Sequence, residues 1–398
     1  MEPYIQSVFR EVLKANSDLP NTKLILSRSP VENAYALADG TVFFNIGLLA
    51  KLENESQIAF IICHELAHIK LRHMERGIKE SLDAFYSKDF KKQYRQTAKE
   101  EYNRNSKMGA LLQGLSLANL QHKRSFEKQA DSLGYIFLSK TKYSTAEVYT
   151  ALQALDVIDA PYSTRKLDLG SLFSCPDFNY NYEQEHAKAS SIFDVVEATS
   201  ALPDNPDTLR THPDCQKRML YIRELEQVIP VDASRQTFQT SQLESIKLLC
   251  KREVVQSLYD MQQYDYALFN ALLLLREQPE SNYLKSMVML CLFELKRHLL
   301  LHRFAEVVSV ASAYHPENFQ QLLRVLHNLN TSDFKGISNC FAQKMPIEEG
   351  TQEHLLAAQY ASAVLREDTE EAQQTKKIYL DKHKEGRFRK MLLSANLK

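Results

Sequence analysis

Residues 55–77 read ESQIAFIICHELAHIKLRHMERG and decide the fold, because HELAH at 64–68 places two histidines with a glutamate between them in an apolar helix. His64 and His68 are four residues apart, so both imidazoles lie on one helical face and can reach a single metal ion. Glu65 points about 100° away and can accept a proton from a metal-activated water. Burying these groups without a ligand would be costly. The motif therefore predicts a zinc site with Glu65 as general base.

The same segment carries signals for both ends of the helix. Asn54, with Gln57 three residues later, is typical of a capping box that opens a helix. Gly77 is a residue type that commonly follows a last turn, so the helix is expected to end there. On one continuous helix His73 lies about 180° round from His64. His73 is therefore interpreted as a surface or packing residue and not as a ligand.

A catalytic zinc has three protein ligands and one open position. Glu127, in the segment EKQAD, is the candidate third ligand. Asp131 lies on the same helical face and is expected to accept the free ring N–H of a ligand histidine. Ala130 and Gly134 are small, which allows a close helix approach; an exposed acidic pair is the alternative. The predicted ligands of one Zn²⁺ per chain are His64, His68 and Glu127.

The residues before the motif predict one helix and three strands. Apolar side chains recur at helical spacing over Pro3–Ala15, and Asp39-Gly40 is a hairpin signal. The expected strands are Lys23–Ser27, Asn33–Leu37 and Thr41–Asn45.

The third strand is expected to lie at an exposed sheet edge beside the motif helix. An extended peptide substrate would pair with it through main-chain hydrogen bonds, and residues 160–212 would form a lid. The alternative is a central strand, with the substrate held by loops. The predicted substrate-binding residues are Thr41, Val42, Phe43, Phe44 and Asn45.

Composition narrows the class of protein. The 398 residues suggest two domains, and a net charge of −1 argues against a nucleic-acid partner. The six cysteines lack zinc-cage spacing. No apolar stretch is long enough for a transmembrane helix, and no signal peptide is visible. The protein is expected in the cytoplasm or, if a signal has been removed, in the periplasm or cell envelope.

A series of motifs follows one another over roughly residues 33–220. They are NAYAL with GTVF at 33–43, GLL at 47–49, HELAHIKLRH at 64–73, E-xx-AD-xx-G at 127–134, and THP at 211–213 followed by Arg218. Together they resemble the HtpX / CAAX prenyl protease family of zinc metallopeptidases. Two features depart from that family: Ala38-Asp39 replaces Pro-Gly in the turn, and the membrane helices of its integral-membrane members are absent. The resemblance is to a soluble branch.

The resemblance implies an α+β fold, a gluzincin-type zinc metalloprotease domain with a small antiparallel sheet. It also implies that His212 and Arg218 lie near the active cleft. His212 would either plug the site or stabilise the oxyanion of the tetrahedral intermediate. Taken without the resemblance, His212 belongs to a turn and Arg218 is a solvated charge.

From about residue 230 onward the pattern is almost purely helical, which separates a protease domain, 1–228, from an all-α domain, 229–398. YDYAL at 264–268 and QPESN at 278–282 resemble parts of a tetratricopeptide repeat. A plain helical bundle is the alternative, since Pro279 and Pro316 are 37 residues apart and the usual repeat is about 34.

These features predict a zinc-dependent endopeptidase that hydrolyses protein or peptide substrates, with a role in protein quality control. A protein partner is expected on the C-terminal helices. The rival interpretation is a chaperone-like binding module whose protease centre is silent or blocked by His212.

Overall fold

The computed structural model describes residues 1–99, 124–158, 167–180, 215–229, 241–312, 315–342 and 352–394. Its helices and strands, in chain order, are α1 Glu2–Ala15, β1 Lys23–Ser27, β2 Ala34–Ala36, β3 Thr41–Asn45, α2 Ile46–Leu49, α3 Glu55–Lys70, α4 His73–Tyr86, α5 Lys88–Ala98, α6 124–139, α7 Glu147–Ile158, α8 Leu169–Phe173, α9 Cys215–Glu226, α10 Ser241–Asp260, α11 Tyr264–Glu277, α12 Asn282–Leu300, α13 Glu317–Asn328, α14 Thr331–Ala342, α15 Gln352–Leu365, α16 Thr369–Lys382 and α17 Arg389–Ser394.

The chain divides into two compact units. The first comprises Met1–Ala160 with Leu202–Cys250, and the second Pro161–Ala201 with Lys251–Lys398. The helix-rich content with one small sheet agrees with the predicted α+β class. The boundary between residues 228 and 229 stays a prediction. Among the described residues, no helix is both long and apolar enough to cross a membrane.

The sheet of the first unit has three strands in the order β1-β3-β2. β1 pairs with β3 in parallel and β2 pairs with β3 antiparallel, so the expectation of a purely antiparallel sheet is wrong. The Asp39-Gly40 turn joins β2 to β3, and Gly40 adopts φ +86°. A side chain there would also meet the backbone oxygen of Asn21 at 2.8 Å, which makes glycine the fitting residue.

The helix that carries the motif, α3, opens as predicted. The Asn54 side chain accepts a hydrogen bond from the backbone N–H of Gln57 at 2.9 Å. Its end was predicted wrongly, because α3 stops at Lys70 and Gly77 lies inside α4. Arg72, with φ 52°, turns the chain between the two helices. His73 therefore begins a new helix, so the angle of about 180° that was derived for a continuous helix does not apply to it.

Two further helices of the first unit pack on α3. α7 lies along it, and α6 approaches so closely that a side-chain carbon at Gly134 would lie 3.0 Å from the backbone N and Cα of His64. Only a hydrogen at this position allows that spacing without displacement of the two backbones. The close approach fixes the height of α6 against the motif.

The second unit is built from helices around a shared apolar core. Within it α11 packs on α12, α12 on α15 and α15 on α16. The polar segment QPESN at 278–282 spans the end of α11 and the start of α12. A disulfide joins Cys175, which follows α8, to Cys340 in α14. A repeat-like arrangement of these helices stays a prediction.

Candidate metal centre

Three side chains from two helices converge in the first unit. Nε2 of His64 lies 3.0 Å from Nε2 of His68, and the carboxylate of Glu127 lies 3.4 Å from the first nitrogen and 3.5 Å from the second. Within the described part of the chain, this is the one group of three or more His, Cys, Asp or Glu residues whose ligand atoms are mutually within 4.8 Å. The i, i+4 spacing on α3 and the close approach of α6 produce the convergence.

A buried charge network holds two of these side chains in place. Asp131, one turn after Glu127, lies 2.9 Å from Nδ1 of His64. The guanidinium of Arg218 on α9 donates two hydrogen bonds to the Asp131 carboxylate, at 2.7 and 2.8 Å. Its third nitrogen lies 3.3 Å from Glu127. Arg218 thus contacts Glu127 of the three converging side chains and the neighbouring Asp131, and its predicted catalytic role stays a prediction.

The network sets the charge states around His64. Burial penalises the ionised form of Glu127, yet Arg218 and His64 outweigh it and hold the pKa of Glu127 well below its usual range. Burial also opposes a charged His64, but hydrogen bonds to Asp131 and Glu127 raise the pKa of His64 to about 10. Burial, reinforced by the charge of His64, lowers the pKa of His68 to about 3. His64 can therefore donate a hydrogen bond from its Nε2, and His68 can accept that bond at its own Nε2.

Glu65 lies beside this cluster without belonging to it. Its side chain is buried, and burial raises the pKa of Glu65 to about 7. The backbone N–H of Ala36 in β2 donates to its carboxylate. A carboxyl group with this pKa exchanges a proton readily near neutral pH.

The prediction that β3 lies at an exposed sheet edge is wrong. β3 is the central strand, paired on both sides, and its residues Thr41, Val42, Phe44 and Asn45 are buried. Phe43, between them, stacks on Tyr35 of β2. A peptide cannot add to a strand whose two edges are already occupied. The edge strand on the side of α3 is β2.

Two further predictions concern His212 and His73. His212 lies outside the described residues, so its predicted role stays a prediction. His73 is buried and its ring stacks on Phe126, in agreement with the predicted packing role, and its Nδ1 also lies 3.0 Å from Nδ1 of His68, a contact that was not predicted. Gln129, to which no role was given, contacts His73 in turn. The histidine-rich continuation of the motif was the available signal, and the early end of α3 obscured it.

The sequence matches known proteins over the same region. The profile of peptidase family M48 matches residues 1–226. A stretch of 74 residues is 32% identical to the mitochondrial metalloendopeptidase OMA1 of Bos taurus, covering 17% of this chain and 14% of that protein. A stretch of 78 residues is 33% identical to the beta-barrel assembly-enhancing protease of Escherichia coli K12, covering 19% and 16%. The matched stretches thus span less than a fifth of these relatives.

Proposed function

This chain belongs to peptidase family M48, and we propose that it is a zinc-dependent endopeptidase acting on protein substrates. The observation that carries the proposal is the convergence of His64, His68 and Glu127 beside the buried carboxyl group of Glu65. Two imidazoles and a carboxylate, with one position left open, are the donor set of many catalytic zinc sites.

The spacing of the ligand atoms fits zinc. Ligand atoms about 2.0–2.2 Å from a tetrahedral ion lie about 3.3–3.6 Å from one another. The two contacts with Glu127, at 3.4 and 3.5 Å, fall in this range, and the contact between the histidines, at 3.0 Å, is slightly shorter. The carboxylate of Asp131 lies 2.9 Å from the remaining ring nitrogen of His64, the position where a ligand histidine usually has a carboxylate or carbonyl partner.

Each side chain then has a distinct task. Bound zinc would polarise the substrate carbonyl and make a water molecule more acidic. Glu65 accepts a proton from the attacking water and returns it to the departing amine. Arg218, together with His64, supplies positive charge beside Asp131 and Glu127, which favours the ionised form of both buried carboxylates.

The edge strand β2 replaces β3 as the place for substrate pairing. β2 is next to α3, and the N–H of Ala36 already points at Glu65. An extended peptide that pairs with this edge gains main-chain hydrogen bonds regardless of its side chains, and its scissile bond is held near the general base.

The rival function is that of a chaperone-like module that binds protein without cutting it, with His212 as a plug over the site. One experiment distinguishes the two functions. We expect an unfolded protein to be cleaved by the zinc-loaded enzyme, to survive after chelator treatment, and to be cleaved again when zinc is restored. Binding of the unfolded protein without cleavage at full zinc occupancy would favour the rival.

The helical second unit supports a proposal about substrates and partners. We assign it the role of a tetratricopeptide-like surface that presents or recruits proteins in quality control, in line with the assembly function in the name of the Escherichia coli relative. The disulfide between Cys175 and Cys340 favours an oxidising compartment such as the periplasm over the cytoplasm.

The disulfide gives a stability prediction. Reduction should lower the free energy of unfolding of the second unit by about 2–4 kcal/mol, because the bond closes a long loop in the unfolded chain. Denaturant titration with and without reductant measures this difference, and a Cys175→Ser/Cys340→Ser variant should be insensitive to reductant. Thiol counting in denaturant should find four thiols before reduction and six after it. Six thiols before reduction, in protein purified without reductant from an oxidising compartment, would contradict the bond.

A further inference from the structure

A line of hydrogen bonds leads from His68 away from the metal site, and the proposed function makes no use of it. Nδ1 of His68 faces Nδ1 of His73 at 3.0 Å. Nε2 of His73 lies 3.2 Å from Oε1 of Gln129, and Arg76 donates to the same oxygen at 3.4 Å. The line crosses from α3 to α4 and α6, and His73 within it is 3% exposed.

The amide of Gln129 fixes the direction of every bond in this line. An arginine only donates, so the Gln129 atom that it contacts is the carbonyl oxygen, which only accepts. His73 must then carry its proton on Nε2. A neutral imidazole has one N–H, and a second proton would put a charge on a buried ring beside Arg76. Nδ1 of His73 is therefore an acceptor.

This assignment for His73 determines the tautomer of His68. Since Nδ1 of His73 accepts, Nδ1 of His68 donates, and the one proton of a neutral His68 is on that nitrogen. Its other nitrogen, Nε2, keeps its lone pair and faces Nε2 of His64 and the carboxylate of Glu127. Only this tautomer of His68 can bind a metal at the position where the three ligand atoms meet.

We propose that His73, Gln129 and Arg76 form a tautomer relay that holds His68 in its metal-binding form. The inference rests on the proposed zinc site and makes His73 a positioning residue. The neighbour of His64 is different, because the carboxylate of Asp131 lies 2.9 Å from its Nδ1. The two ligand imidazoles are thus oriented by two independent partners, one charged and one neutral.

The competing explanation is that His73 only fills space. Its ring stacks on Phe126, with the centroids 4.4 Å apart and the planes 11° from parallel. A phenylalanine at position 73 would keep the volume and the stacking while removing both nitrogens. His73→Phe therefore separates packing from hydrogen bonding.

We expect His73→Phe to weaken zinc binding by about 10–100-fold, the usual effect of removing a partner of a ligand histidine. Zinc affinity is measured by competition with a calibrated chelator. In zinc-free protein, nitrogen-15 spectra of the histidines should show wild-type His68 protonated on Nδ1 and a mixture of tautomers in the variant. Wild-type affinity together with an unchanged tautomer of His68 would overturn the relay.

A pair of variants at Gln129 tests the relay without touching His73. Gln129→Leu removes the acceptor that holds the His73 proton on Nε2, so zinc affinity should fall and the His68 tautomers should mix. Gln129→Glu keeps an acceptor-only atom there and should preserve the wild-type tautomer. Equal tautomer populations in all three proteins would overturn the relay. If the wild type binds zinc and Gln129→Leu matches it in affinity and tautomer, the relay alone fails; if the wild type binds no zinc, the proposed function fails first.

Discussion

Replacing Glu65 by glutamine should abolish peptidase activity while leaving zinc bound. Glutamine keeps the size of the side chain and can still accept the hydrogen bond from Ala36, but it cannot take a proton. General-base catalysis contributes about 10²–10⁴-fold, and kcat/KM should fall by at least that factor. Cleavage of an unfolded protein substrate, measured beside metal content, checks the result.

The fold should not respond to this change. Glu65 is outside the network of Arg218 and Asp131, and burial already favours its uncharged form. The unfolding midpoint of Glu65→Gln should therefore match that of the wild type. Full activity in a zinc-loaded Glu65→Gln protein would remove Glu65 from the mechanism.

Replacing Arg218 by methionine should produce the largest loss of stability at this site. The change leaves the carboxylates of Asp131 and Glu127 in a buried place without their main counter-charge. Removal of one partner from a buried ion pair costs about 3–5 kcal/mol. Urea unfolding of the zinc-free protein, followed by circular dichroism, measures the difference.

Two further variants separate charge from simple truncation. Arg223→Met changes an exposed arginine on the same helix and should alter stability by less than about 0.5 kcal/mol. Asp131→Asn in the Arg218→Met background removes one stranded charge and should restore part of the loss. If Arg218→Met and Arg223→Met were equally stable, the buried network would not contribute to the fold.

The convergence of His64, His68 and Glu127 could be predicted because it depends on spacings within two helices. The spacing of His64 and His68 on α3, and of Glu127 and Asp131 on α6, fixes which side chains share a face before any tertiary contact is known. The small residue Gly134 indicated the close approach of the two helices. The spacings left open only whether these two helical faces meet. The requirement of a catalytic zinc for three protein ligands indicated that they do.

The neighbours of β3 could not be predicted in the same way. All three strands were expected at nearly the observed positions, but strand order depends on contacts between residues distant in sequence. The segment TVFFN is nearly continuous in its apolar character, and both faces of β3 are largely buried. That pattern is typical of a central strand, and it was the signal against an exposed edge.

The contact of His73 with His68 could not be predicted for a different reason. Its angular position was derived for a helix that was expected to run to Gly77, and the left-handed turn at Arg72 breaks that helix. A non-glycine residue with positive φ is uncommon, and arginine, the residue at position 72, is not a type that indicates one. The contact between His73 and His68 therefore became visible only in the structure.

The central claim, that His64, His68 and Glu127 bind one zinc ion, is tested most directly by metal analysis of three purified proteins. Wild type and Glu65→Gln should each retain one equivalent of zinc after dialysis. Glu127→Ala should retain little or none, since two histidines alone form a poor site. A full equivalent of zinc in Glu127→Ala would contradict the account.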